Sequence, residues 1–171
     1  MNRTILRTAL TAALASVLLL ACVDATNPGG SGPSLSGGDA GISFKIGTNE
    51  HGFTEFVTGA YTPAENSTCV VGSDAVGFTA TKAIHIYFPG STTGTFTDPP
   101  DTGTDLPKIG ILIDFIYYEW EADKGCSFTI EVTGYGPVGG RIEGTFSGKL
   151  VDDTGTFIEV TDGVFSVVRY E

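Results

Sequence analysis

The side chains able to do chemistry are few apart from carboxylates. The chain holds two histidines and three cysteines against twenty Asp and Glu. His51 lies between Glu50 and Gly52, with Glu55 nearby, and His85 lies two residues before Tyr87. Neither forms H-E-x-x-H, the helical spacing that puts two imidazoles on one zinc ion. No G-x-S-x-G and no phosphate-binding G-x-x-x-x-G-K-[ST] is present. Residues 134–139, Gly-Tyr-Gly-Pro-Val-Gly, do fit G-x-G-x-x-G. A dinucleotide site needs a helix directly after that motif, so that the helix N-terminus holds the pyrophosphate. Pro137 and an alternating run follow instead, which predicts a hairpin loop.

Two constellations remain. Asp98, Asp101 and Asp105 fall in a Gly/Pro segment and offer the hard oxygens that Ca²⁺ prefers. Their spacing is not that of an EF-hand and no glutamate closes the set. A solvated turn is the plainer reading, because Asp favours turns for backbone reasons. Asp152-Asp153-Thr154 forms a second acidic turn of the same kind. The other constellation is Asp114, Tyr118 and Trp120, in one strand phase beside Tyr117, Glu119 and Glu121. Aromatic faces with carboxylates grip a sugar ring and its hydroxyls, which makes these three the candidate ligand-binding residues. Cross-strand aromatic packing is again the plainer expectation. No catalytic residue is assigned and no cofactor is expected beyond that candidate Ca²⁺. The chain reads as non-enzymatic. The enzymatic alternative is a hydrolase with two carboxylates ~5–10 Å apart.

The elements that must position these groups are strands. Gly numbers 24, Met one, and Gln is missing, which argues against a helical bundle. From Ile42 onward apolar and polar residues alternate with period two. Runs are predicted at 42–46, 53–61, 68–71, 76–80, 82–88, 94–97, 108–120, 126–135, 141–150, 157–160 and 164–170. The longest, Lys108 to Trp120, sets Ile109, Ile111, Ile113, Phe115 and Tyr117 on one face. Asp162-Gly163 reads as a tight turn between the last two strands. The expected class is all-β, an antiparallel two-sheet β-sandwich, with a closed, lipocalin-like β-barrel as the alternative.

Ahead of this domain, Arg3 and Arg7 precede an uncharged apolar run from Thr8 to Leu20. It is too short to span a bilayer, which takes ~20 residues, and has the length of a signal-peptide core. It ends in Leu19-Leu20-Ala21-Cys22, which resembles the bacterial lipobox. That resemblance implies cleavage before Cys22 and lipidation of its thiol. Residues 1–21 are then a lipoprotein signal peptide. Residues 22–41 are the lipidated cysteine and a Gly/Ser/Pro tether, too poor in apolar residues to fold alone, and residues 42–171 are the β-domain. Each buried acyl CH₂ contributes about 0.8 kcal/mol, so several chains anchor firmly. Val23, rather than Asp, follows the cysteine, which by the same resemblance leans towards the outer membrane. Loss of the signal leaves seven Lys and Arg against twenty acids, 7 − 20 = −13, which disfavours nucleic acid as a partner. With Cys22 lipidated, Cys69 and Cys126 remain, and in an exported chain they are expected to pair as a disulfide.

The C-terminal third carries I-E-G-T-F-S at 142–147 and V-T-D-G-V-F-S-V at 160–167. This order resembles a broad group of small bacterial lipoproteins of unknown function, described as β-sandwich-like; no catalytic residue transfers from it. The functional expectation is a membrane-anchored, non-enzymatic β-domain that binds a glycan or protein ligand or supports the envelope. Its alternatives are a small-ligand carrier with a barrel pocket and the carboxylate-based hydrolase.

Overall fold

In the computed structural model, which describes residues 40–98 and 107–170, the alternating runs form eleven strands and no α-helix. They are β1 Gly41–Ile46, β2 Asn49–Phe53, β3 Phe56–Thr62, β4 Ser67–Ser73, β5 Lys82–Pro89, β6 Gly94–Thr97, β7 Lys108–Ile113, β8 Ile116–Glu119, β9 Ser127–Tyr135, β10 Arg141–Val151 and β11 Phe157–Val168. Every pairing between them is antiparallel.

The topology turns on β10. One of its edges takes β11. The other takes β9 from Ile142 to Lys149 and then β8, at Val151 opposite Glu119. From β8 the order runs β7, β5, β4, β3. The outer edge of β11 holds β1 from Ser166 to Val160. Just past it, Arg169 bridges Gly59 of β3 in parallel, and the Tyr170 N–H donates to the Gly59 carbonyl at 2.9 Å. The sheet therefore returns almost to its own edge. The barrel alternative is the arrangement formed, and the two-sheet sandwich is not, because β8 and β9 share one edge of β10 and leave no gap between sheets. Near-closure shortens the exposed edges that invite aggregation, and among the described strands β2 and β6 keep an outer edge without a strand partner.

Inward residues fill the barrel. Phe44, Phe88, Phe146 and Phe165 are fully or almost fully buried, with Ile42, Ile84, Ile111, Ile130 and Leu150 around them. Phe146 lies 5.9 Å from Phe44 and 6.4 Å from Phe165 between ring centres. At Gly59 an added Cβ would sit 2.8 Å from Ile142 Cδ1 and 2.9 Å from Val167 Cγ2, so the seam closes only over a residue without a side chain.

Four sequence expectations are corrected. Lys108 to Trp120 is a hairpin rather than one strand. Asp114 and Phe115 take φ of 50° and 67°, the pattern of a type I′ turn, and Phe115 is 73% exposed instead of sharing a face with Ile113. Asp162-Gly163 is not a turn, because β11 runs unbroken through it. Asp162 has φ 52° where the β10 register shifts, as in a bulge. Residues 76–80 form no strand but hold a single 3₁₀ turn, Gly77–Thr79. Lastly, Cys69 and Cys126 are both buried and form no disulfide with each other. Cys69 is on β4, while Cys126 Sγ lies 4.0 Å from the Glu119 carbonyl of β8. Three strand spacings, ~14 Å, separate β4 from β8, and a disulfide needs Cα atoms within ~7 Å.

Candidate binding site at the barrel mouth

The alternation that builds the core also sets polar groups above it at one end. Tyr61 follows inward Gly59 by two residues, Arg169 follows inward Val167 by two, and Thr68 precedes inward Val70 by two. Tyr135, opposite Ile142, packs against the same core. β3, β4, β9 and the end of β11 thus crown an apolar interior with two tyrosines, a threonine and an arginine.

Arg169 lies between the two rings, its guanidinium carbon 5.9 Å from the centre of Tyr61 and 5.1 Å from that of Tyr135. Such stacking attracts through the ring quadrupole. Its Nη1 donates to the Gly136 carbonyl at 3.1 Å. Its backbone is held from both sides: the Gly139 N–H donates to the Arg169 carbonyl at 2.7 Å, and the Arg169 N–H donates to the Gly140 carbonyl at 2.8 Å. The G-x-G-x-x-G segment is thus the hairpin loop expected between β9 and β10, and its work is to clamp Arg169. The hydroxyls of Thr68 and Tyr135 share a hydrogen bond of 2.7 Å, and Thr68 Oγ1 also donates to the Gly90 carbonyl at 2.6 Å. Tyr61 donates to Asn66 Oδ1 at 2.9 Å. On the outer side of the rim, Arg141 Nη1 donates to Ser166 Oγ at 2.7 Å, and Ser166 donates to Glu143 at 3.0 Å. The mouth offers two aromatic faces, a stacked cation and several hydroxyl and amide groups, at a place where β-barrels commonly take ligands.

The residues singled out from sequence do not converge. Asp114 is exposed in the β7–β8 turn. Tyr118 and Trp120 instead turn to the core, where Trp120 meets Phe128 edge-on at 5.9 Å. The Trp120 Nε1–H is buried without an acceptor. Asp98 Oδ1 accepts the Phe128 N–H at 2.7 Å, tying the end of β6 to β9. Asp101, Asp105 and Cys22, with the expected signal peptide and the expected tether up to residue 39, lie outside the described residues. Asp152 Oδ1 accepts from the Thr154 N–H, Thr154 hydroxyl and Thr156 N–H at 2.9, 2.8 and 2.7 Å, organising the β10–β11 turn.

One group escaped the sequence reading. On the outer face, Val71, His85, Gly110 and Glu119 lie directly opposite one another across β4, β5, β7 and β8. Tyr117 covers Gly110 so closely that a Cβ there would collide with its hydroxyl, and it meets His85 edge-on at 6.2 Å. His85 is 4% exposed. Burial, with Lys108 nearby, pushes its imidazole down to about 4. Burial, then Glu119, raises the Tyr117 phenol, and burial, then Glu121, raises the Glu119 carboxyl. The set holds a neutral imidazole beside a protonated phenol, an arrangement of packing in which titration is suppressed.

No protein-family model, curated protein or solved structure matches this chain.

Proposed function

We propose that this chain is a lipid-anchored lipoprotein of the cell envelope, held through Cys22, probing its surroundings with a non-enzymatic β-barrel that binds at its mouth. The observation that carries the reading is Arg169, stacked between Tyr61 and Tyr135 on the inward face above a filled interior. A filled core supports recognition at the rim over carriage of a ligand inside. The LLAC segment and the Gly/Ser/Pro tether support the anchoring half of the proposal. The test is the full-length chain in detergent micelles on an array of envelope and host glycans and peptides, beside Tyr61→Ala and Tyr135→Ala. Binding that falls at least tenfold in both variants is expected; no binding, or binding indifferent to both changes, overturns the mouth as a recognition surface. Cys22→Ala should move the chain from the membrane to the soluble fraction, and a variant still recovered with membranes overturns the anchor.

A further inference from the structure

We propose that the end of the barrel opposite the mouth is a membrane-contact tip, whose exposed apolar side chains enter the headgroup–acyl boundary of a zwitterionic bilayer; the proposal rests on the lipid anchor at Cys22. Antiparallel register brings four such residues to this end from three stretches of chain. Phe56 opens β3 opposite Ser73, the last residue of β4. Val76 lies in the β4–β5 loop. Lys82 opens β5 opposite Ile113, which faces Ile116 across the β7–β8 turn that carries Phe115. Phe56, Val76, Phe115 and Ile116 are half of the eight large apolar residues exposed among the described residues.

The tip is built to stay exposed. Phe115 keeps φ at 67° although Asn-Gly suits such a turn better, and strain of this kind is retained where it serves a site. Around Val76 the polar groups are used internally. Asp74 Oδ1 accepts the Thr81 and Lys82 N–H groups at 3.0 and 3.1 Å, and its Oδ2 accepts the Thr81 hydroxyl at 2.6 Å. The Thr79 hydroxyl donates to the Val76 carbonyl at 3.0 Å. Groups already bonded lose little on leaving water. The outline selects the occupant. Phe115 projects from a two-residue turn as a convex point, which a fluid interface takes without the matching pocket that a protein must provide. Charge narrows the surface. Lys82 stands in line with Ile113 and Ile116, and Asp114 adjoins Phe115, so the tip carries both signs, as zwitterionic headgroups do. The excess of thirteen acids left once the signal is removed opposes an anionic surface. Chain length allows the contact. Gly41 lies opposite Ser166, near the mouth, and β5 spans about 26 Å between the two ends. Residues 23–40 reach about 60 Å when fully extended, so a chain held at Cys22 can set its tip on the same bilayer and turn its mouth away from it. So small a patch binds weakly alone, as a single acyl chain does, and depends on the anchor to keep it near the surface.

The test reads depth. Full-length chains are reconstituted in phosphatidylcholine vesicles brominated on the upper acyl carbons, about 5–10 Å down, where interfacial apolar groups sit. Trp120→Phe removes the one native tryptophan. A reporter is then placed by Phe115→Trp at the tip, or by Val138→Trp, exposed at the mouth end. Vesicle flotation reports the anchor separately. Among chains that float, Phe115→Trp should lose emission to the bromines and shift to the blue, and Val138→Trp should do neither. Adding anionic phosphatidylglycerol should weaken the quenching. Quenching at both ends alike overturns the tip and leaves the anchor standing, as does quenching at neither, the result if the tip serves a protein partner. A blue shift without quenching marks contact with a second copy and overturns the proposal, and stronger quenching on the anionic vesicles overturns it too. Chains that do not float overturn the anchor, and the tip with it. Should Phe115→Trp fail to fold, Ile116→Trp carries the reporter where φ is not positive, under the same outcomes.

Discussion

Acidity acts on this fold in part through His85, one of two histidines that burial holds below the ordinary imidazole range. Its imidazole titrates at about 4 in the barrel because burial disfavours the cation, whereas in the unfolded chain it titrates near 6.5. A depressed histidine favours the folded state fully above ~pH 6.5, where both states are neutral. As pH falls from there towards 4, the unfolded state takes the proton first and stability is lost. The full difference is worth roughly 3 kcal/mol. Urea midpoints of the native chain should therefore fall across that window more steeply than those of His85→Phe; parallel curves would show that His85 is not the sensor. At Trp120 the expectation concerns an unsatisfied N–H. Since Nε1 is buried without an acceptor, Trp120→Phe removes a desolvated donor and keeps an aromatic against Phe128. It should cost no more than ~1 kcal/mol and leave glycan binding intact. A loss of binding would return Trp120 to the ligand site.

Among the elements, the β7–β8 hairpin shows how much was legible. The strand phases of Ile109 and Ile111, Phe128 and Ile130, and Ile142 and Phe146 follow from period-two alternation, and all these residues are buried. The turn at Asp114-Phe115 did not show, because alternation continues unbroken through it and a phenylalanine carries no turn signal. The same masking worked in reverse at Asp162-Gly163, where turn-forming residues make a bulge inside β11. Phe115 at φ 67° is strained for a residue with a Cβ. Replacing Asp114-Phe115 by Asn-Gly, the favoured type I′ pair, should raise stability by about 1–2 kcal/mol. An unchanged denaturation midpoint would mean that Phe115 makes a compensating contact. The mouth was half legible. Arg169 continues the Phe165, Val167 phase, so an arginine on the core-facing register could be read from sequence. That Tyr61 comes to meet it depends on closure between β3 and β11, and that Tyr135 does so depends on the pairing of β9 with β10 and β10 with β11; no local pattern encodes either.

For the molecule as a whole, closure is the point of vulnerability. A single parallel bridge, the Tyr170 N–H bond and the clamped Arg169 hold β3 to β11. Gly59→Val would drive methyl groups into Ile142 and Val167 and should destabilise by about 1–3 kcal/mol. Hydrogen exchange should show the loss first at amides of β3 and the end of β11. Uniform loss over all strands would mean that the barrel opens only as one unit. All-β architecture was readable from composition and alternation, whereas barrel against sandwich was not, since the choice rests on β8 and β9 sharing one edge of β10.

The pairing of β1 with β11 also governs when this domain can come into being. The earliest strand of the barrel finds its partner in the latest, more than a hundred residues along the chain. Contacts so distant in sequence make folding slow, because a long loop must close before any pairing rewards it. A nascent chain still lacking β11 has neither a neighbour for the outer edge of β1 nor the residue that seals β3. The order of synthesis thus keeps the polypeptide open until β11 has emerged.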